Sequence, residues 1–300
     1  MSEAVMRCQI AIEEGGFLQH MALNAAKIVS LRTDLELRAI VAGSELVTAD
    51  GQAVVWASRL LRDPLPERVA GIDLMNELFG LAERCGYGVY LLGATEETLG
   101  RATERLLARH PDLRIAGSHH GYFADEDSPA ICAQIKASRP DLLFVAMSSP
   151  RKEYWLKQYG RGLGIPVIIG VGGALDVTAG DVRRAPRAAQ ALGLEWAYRL
   201  AQEPRRLWRR YLVTNTRFIA LVARQRFGRH RPGSSPADLL APDQGPQKAP
   251  VCTIENEQED ARDVADQDKQ GEQDRPRVAE VAPAKKERKS SDHDERAHRL

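Results

Sequence analysis

Two kinds of side chain in this chain are spaced to do chemistry on an anion. The first is a crowd of arginines. In LGLEWAYRLAQEPRRLWRRY, residues 192–211, Arg199, Arg205, Arg206, Arg209 and Arg210 alternate with Trp196, Tyr198, Trp208 and Tyr211. Guanidinium forks match phosphate oxygens. Arg199, Arg206 and Arg209 are spaced by seven and three, which puts them near one helical face. Pro204 perturbs that face: proline is tolerated best in a first helical turn, so it is expected to end one helix and start another. The plain alternative is a solvated basic surface. The interleaved Trp and Tyr weigh against it, because such rings suit a boundary between water and lipid. FIALVA at 218–223 adds apolar surface. DNA, an acidic membrane and the phosphates of a substrate are the three anions to consider.

The second is a carboxylate. Asp50 closes the strand-like run ELVTAD and precedes Gly51. A carboxylate at the carboxyl end of a strand is placed to act as a general base, and glycine allows a ligand close to the backbone. The commoner reading of an Asp-Gly pair is a turn without chemistry. Other strand ends offer weaker signals. GVGGALD (170–176) does not match GxGxxG, and no helix opening immediately afterwards with an acid at the expected distance is read there, so the signal for a dinucleotide is weak. Its broader reading is glycine backbone against a nucleotide, with Asp176 receiving a ribose hydroxyl or a base N–H. Its plain reading is tight strand–turn packing. In GATEET (93–98) a helix start could bind phosphate, but Thr95 as a simple N-cap is more common. His119 and His120 are adjacent and lack a carboxylate cluster at ligand spacing, so a polar loop is expected there and no metal.

The elements that must hold these residues alternate in type. VYLLG (89–93), DLLFVAM (141–147) and PVIIGVGG (166–173) are apolar and strand-like. Residues 94–110 and 127–138 carry helical patterns, and LRIAGSHHGYF reads as a short strand and loop. Repeated strand–helix units imply a parallel sheet with helices on both faces. Ligands then bind outside the carboxyl ends of the strands, where Asp50, Gly93 to Thr95, Met147 to Glu153 and Gly170 to Asp176 all fall.

Composition bounds the rest. The apolar fraction of 43% allows a sizeable core, and the net charge of +1 hides a strongly basic segment at 183–231. Cys8, Cys85, Cys132 and Cys252 have neither metal-ligand nor CxxC spacing, which suits a reducing cytosol. No signal peptide is evident, and no apolar run reaches the roughly 18 residues of a membrane span, so membrane contact is expected to be peripheral. After Gly228 the chain turns rich in Pro, Asp, Glu, Lys, Arg and Gln, a composition that reads as disordered. The expected organisation is an α/β body at 1–187, a basic helical appendage at 188–228 and a disordered tail at 229–300.

TADGQAVVWASRLL with PLPERVAGIDL, then VYLLGATEET, PDLLFVAMSSPRKEYWL, PVIIGVGGALDVTAGDVRRAP and LGLEWAYRLAQEPRRLWRRYL, are similar to the WecG/TagA/CpsF glycosyltransferases, glycosyltransferase family 26, in colinear order over about residues 15–225. The resemblance implies a Rossmann-like body and inverting transfer, without a metal or cofactor, from a UDP-sugar to a polyprenyl-diphosphate-linked acceptor. It implies work on the cytoplasmic membrane face, in building teichoic acid, common antigen, capsule or exopolysaccharide. The carboxy-terminal helices would bind an anionic membrane and complete the site. By position, Asp50 matches the proposed general base and Asn24 an asparagine near the acceptor. Gly93, Ala94, Thr95, Tyr122, Lys152, Gly172 and Asp176 fall in the nucleotide-sugar region, and Arg199, Arg206 and Arg209 match arginines on the diphosphate. Two positions depart from the family pattern: Ala22 stands where threonine is usual, and Lys152 replaces the glutamine of PxQE.

Other classes make different demands. A basic nucleic-acid-binding module would use 192–226 and predict salt-sensitive DNA binding, but leaves the ligand-type strand ends unexplained, so nucleic acid is not expected as a partner. A nucleotide-sugar dehydrogenase or epimerase needs a dinucleotide fingerprint, which is missing. A catalytically weakened scaffold of a polysaccharide assembly complex is the remaining alternative, raised by Ala22 and Lys152. Donor sugar, acceptor saccharide and oligomeric state stay open, a homo-oligomer among the options.

Overall fold

The computed structural model describes residues 1–186, 189–190 and 193–227, with the side chains of Arg206, Leu207 and Arg210 excepted. The tail expected to be disordered, 229–300, lies outside the described residues. The strands are β1 (Leu18–Leu23), β2 (Leu46–Ala49), β3 (Val89–Gly93), β4 (Ile115–His119), β5 (Leu142–Ala146) and β6 (Val167–Gly170). They form one parallel sheet in the order β2-β1-β6-β5-β3-β4. The expected Rossmann-like α/β class is therefore what the chain adopts.

Period-two alternation splits the strand residues between two cores. Leu91, Leu142, Phe144, Val167 and Ile169 face one side, where they pack against Leu74, Leu78 and Phe79 of α5 (Gly71–Cys85) and Leu99 and Leu106 of α6 (Glu96–Arg109). Tyr90, Leu92, Leu143, Val145 and Ile168 face the other, against Ile131 and Ile135 of α7 (Ser128–Ser138) and Trp155 of α8 (Arg151–Trp155). Helices thus cover both faces. The remaining helices before the basic segment are α1 (Ser2–Glu13), α2 (Ala25–Ser30), α3 (Leu35–Ala42), α4 (Gln52–Leu60) and α9 (Ala174–Ala179).

β1 sits inside the sheet between β2 and β6, although FLQHMAL is not a plain apolar run. Its buried His20 is accommodated by a neighbour: Nε2 lies 2.8 Å from Thr48 Oγ1 on β2, which also contacts the carbonyl of Val69. A buried polar side chain is tolerated when it finds such a partner.

Among the described residues the basic segment includes the helices α10 (Glu195–Gln202) and α11 (Pro204–Phe227). Pro204 occupies the first position of the second helix, as its fixed φ and missing N–H favour. α11 docks on α2 and α4: Phe218 is buried with Ala49, Val54 and Val55, and Ala25, Ile28 and Val29 pack around it. Among the described residues no helix is long and apolar enough to cross a membrane.

Candidate active site

The register of β1 on β2 does the first assembly step. Leu23 pairs with Ala49, so the next residues on each strand, Asn24 and Asp50, emerge side by side at the carboxyl edge, and the amide of Asp50 donates to the carbonyl of Leu23 at 2.9 Å. A Cβ built on Gly51 would lie 3.7 Å from Cβ of Asn24. Both side chains also start helices. Asn24 Oδ1 accepts from the amide of Lys27 at 2.9 Å and caps α2. Asp50 Oδ1 accepts from the amide of Gly71 at 3.1 Å, the first residue of α5. Asp50 is therefore tied to the fold across 21 residues and is more than a local turn.

Burial raises the pKa of Asp50 above the usual aspartate value. The Gly71 amide, Arg68 and Lys27 pull it down and Glu195 pushes it up, but desolvation prevails. A carboxylate more basic than usual, at a strand end, is suited to accepting a proton.

Below this edge lies a group of buried charges. Lys27 Nζ donates to Glu153 Oε1 at 2.7 Å, and Lys152 Nζ lies 3.4 Å from the same oxygen. Burial raises the pKa of Glu153, but the two ammonium groups outweigh it and the net shift is downward. Burial lowers that of Lys152, helped by Lys27 and opposed by Glu153 and Asp50. Glu153 Oε2 is buried without a hydrogen-bond partner among the described residues. Lys152 runs along the end of β6. A Cβ on Gly170 would meet its Cε at 3.1 Å, and one on Gly172 would stand 3.9 Å from its Nζ. Lys152 thus has a fitted place among opposite charges.

The GVGGALD loop corrects one expectation. A helix opens inside it: Gly173 precedes α9, which begins at Ala174. Six residues closed by Gly180 at φ +85 are too short for a helical pattern to be read. Here the body meets the basic segment, because a Cβ on Gly173 would lie 3.1 Å from Asp176 Oδ2 and 3.3 Å from Arg199 Nη2. Arg199 Nε is buried with no hydrogen-bond partner among the described residues. A buried guanidinium N–H left open calls for an acceptor.

The second group of expected residues gathers at β3 and β4. Gly93 has φ +139, and a Cβ there would come within 2.3 Å of the carbonyl oxygen of Ala146. Ala94 takes a left-handed φ of 58, a strain of about 1 kcal/mol or more that persists where the surroundings enforce it. Thr95 caps α6, its Oγ1 accepting from the amide of Thr98 at 3.2 Å. Tyr122 is exposed and, with His119, His120 and Phe123, lines a pocket of about 340 Å³. His119 Nδ1 faces the His120 carbonyl at 2.8 Å. Among the described residues no group of three or more His, Cys, Asp or Glu side chains could hold a metal ion.

Not every expected residue joins these clusters. Arg209 is exposed, its guanidinium 5.9 Å from the ring centre of Trp208, on the outer side of α11. Arg206 lies on α11, and its side chain is outside the described residues. Conversely, Arg68, Glu195 and Lys27 act on Asp50 without having been singled out. Arg68 Nη1 donates to Glu195 Oε2 at 2.7 Å, and Arg184 grips Asp73 at 2.6 Å and approaches Glu195 at 3.7 Å. Arg68 and Glu153 lie inside the PLPERVAGIDL and SSPRKEYW blocks. Lys27 follows Asn24 by three residues.

A parallel α/β sheet of this Rossmann-like class takes its ligands outside the carboxyl ends of its strands, where Asp50, the Gly93–Ala94 turn and the unpartnered Nε of Arg199 lie. Residues 1–232 match the model of the Glycosyl transferase WecG/TagA/CpsF family, and the chain belongs to that family. It is accordingly a glycosyltransferase of cell-surface polysaccharide biosynthesis, acting on a sugar donor and an acceptor.

Proposed function

We propose that this chain transfers a sugar, with inversion and without a metal, from a UDP-sugar to a polyprenyl-diphosphate-linked saccharide. The observation that carries the reading is Asp50: a carboxylate with a raised pKa, held beside Asn24 at the carboxyl edge of β1 and β2. Neutral hydroxyls are poor nucleophiles, so an adjacent base is needed. In the proposed step Asp50 takes the proton of the acceptor hydroxyl while its oxygen forms a bond to the anomeric carbon. The bond from that carbon to the diphosphate oxygen breaks, and its electron pair leaves with UDP. Negative charge then grows on the diphosphate, where Arg199, Arg206 and Arg209 stabilise it. The open Nε of Arg199 beside the Gly172–Gly173 turn supports that role.

Asn24 orients the acceptor. Gly93, Ala94, Thr95, Tyr122, Lys152, Gly172 and Asp176 form the nucleotide-sugar side. Residues 1–187 act as the transferase body and 188–228 as an appendage that completes the site on the cytoplasmic face of an anionic membrane. Arginines among exposed Trp196 and Trp208 support that contact.

The test is UDP release with a panel of UDP-sugars and a lipid-diphosphate saccharide, in EDTA, for the native chain and Asp50→Asn. Release by the native chain and its loss in Asp50→Asn are expected. Undiminished release from Asp50→Asn removes the base. Loss in EDTA, restored by Mg²⁺ or Mn²⁺, removes the metal-free mechanism.

A further inference from the structure

We propose that helix α4 of the body forms one continuous lipid-facing surface with α10 and α11, so that an anionic bilayer seats directly beneath the Asp50 strand end. The inference rests on the membrane contact proposed above and extends it from the basic helices to the body itself.

α4 is amphipathic in an unusual place. Val54 and Val55 point inward and pack with Phe218 of α11. One turn apart on another face, Trp56 and Leu60 are 50% and 51% exposed. A single exposed apolar residue is ordinary, whereas a joined set of them marks an interaction surface. These two are joined to others. Gly193 backs onto Trp56, since a Cβ there would lie 2.9 Å from the indole carbon Cη2. Leu194 and Trp196 follow at once, both exposed, and the Trp196 ring centre stands 5.9 Å from that of Tyr211. On α11, Trp208, Leu212 and Ile219 are exposed at spacings of four and seven, a single stripe. The line from Trp56 through Leu194 and Trp196 to α11 therefore runs over three helices.

Charge selects the occupant. Exposed Arg59 lies in the last turn of α4, exposed Arg62 follows its end, and exposed Arg205 lies in the first turn of α11. Residues 193–227 hold eight arginines and two glutamates. Indoles with arginines around them fit the headgroup layer of an anionic bilayer, where long basic side chains reach the phosphates and apolar groups sink below them. A second copy of this chain fits poorly, because a two-fold contact sets the same arginine-rich patch against itself. Nucleic acid leaves Leu60, Leu212 and Ile219 without a use.

The placement has a consequence for the reaction. α4 begins two residues after Asp50 and is nine residues long, about 14 Å. Seating α4 on the headgroups holds Asp50 within that distance of the layer in which a lipid-diphosphate acceptor presents its sugar.

The test follows tryptophan emission of the full chain on phosphatidylglycerol vesicles with brominated acyl chains. Trp196→Phe and Trp208→Phe leave Trp56 and the buried Trp155 as emitters, and adding Trp56→Phe supplies the Trp155 background. Quenching of Trp56 above that background is expected. Trp56→Ser with Leu60→Ser is expected to weaken vesicle partitioning about tenfold while circular dichroism stays unchanged. Vesicle binding with Trp56 unquenched overturns the role of α4 and leaves contact through α10 and α11 standing. No vesicle binding at all overturns both readings. A lipid-free shift of Trp56 emission that tracks a doubling of mass in light scattering assigns the surface to a second copy instead, and overturns the proposal as well.

Discussion

Arg68 and Glu195 meet at 2.7 Å across 127 residues and tie the loop before α5 to the first turn of α10. Both act on Asp50, with opposite sign: the guanidinium favours its ionised form and the carboxylate disfavours it. The pair is thus a link between the docking of the basic helices and the strength of the proposed base. Asp73 and Arg184 extend it into a four-charge group, with Arg184 also near Glu195.

The two halves of that pair should move the pH profile in opposite directions. Arg68→Met removes a cation and leaves Glu195, so the acid limb of kcat/KM is expected to shift to higher pH. Glu195→Gln removes an anion and is expected to shift it lower. A double-mutant cycle on thermal stability should give a coupling of about 1 kcal/mol, as for a partly exposed charge pair in contact. Shifts of the same sign in both variants would mean that the pair acts on docking alone.

Asp50 itself predicts an acid limb displaced upward from the ordinary aspartate value. The base must be ionised, and burial raises its pKa, so activity falls as pH drops through that raised value. Asp50→Asn should lower kcat by roughly 10²- to 10⁴-fold. Its stability should move the other way. A group whose pKa is raised by folding favours the folded state when protonated and disfavours it when ionised at neutral pH. Asp50→Asn removes that penalty, so its Tm at pH 7.5 is expected to equal or exceed the native value. A large fall in Tm would show that the carboxylate is needed for packing.

How much of this could be read from the sequence depends on how local the cause is. β3 and β5 were legible because a strand buried on both faces is a continuous apolar run, and VYLLG and LLFVA are such runs. β1 was not, because His20 and Gln19 break its pattern and their burial depends on β2 and neighbouring residues. Pro204 and Thr95 were legible as helix starts, since the preference is carried by the residue itself. The short helix after Gly173 was not, six residues offering too little periodicity. Asn24 and Asp50 could be named singly, but only the register of β1 on β2 sets them side by side. Arg68 and Glu153 lay within recognised blocks, yet their partners, Glu195 and Lys27, are more than a hundred residues away.

The buried charges at Glu153 should respond unequally to neutralisation. Glu153→Gln leaves Lys27 and Lys152 buried with no counter-charge between them, and is expected to cost roughly 3–5 kcal/mol, seen as a large drop in Tm at pH 7.5. Lys152→Gln keeps the 2.7 Å pair of Lys27 with Glu153 and removes an ammonium whose burial is already unfavourable. Its Tm is expected to stay level or rise. A collapse in Lys152→Gln comparable to that in Glu153→Gln would assign Lys152 a structural role that the geometry does not account for.

His20 sets a different pH dependence, one of stability. Burial lowers its pKa from about 6.5 to about 3, and Lys27 and Lys152 add to the effect. The sign follows from which state takes up the proton. Below about pH 6.5 the unfolded chain protonates this histidine and the folded chain does not, so stability falls as pH drops from there toward 3. Between pH 6.5 and 5 the loss from this residue alone is roughly 2 kcal/mol. Glu153, whose pKa is lowered, adds a loss at still lower pH, while Asp50 works against it. Denaturant unfolding of the native chain and of His20→Gln at pH 8, 6.5 and 5 isolates the histidine, because a glutamine amide can still donate to Thr48 Oγ1. The native chain is expected to lose more stability than the variant from pH 6.5 to 5, and to match its slope above pH 7. Equal losses over the lower interval would mean that His20 is protonated in the folded protein, with its open Nδ1 supplied with an acceptor.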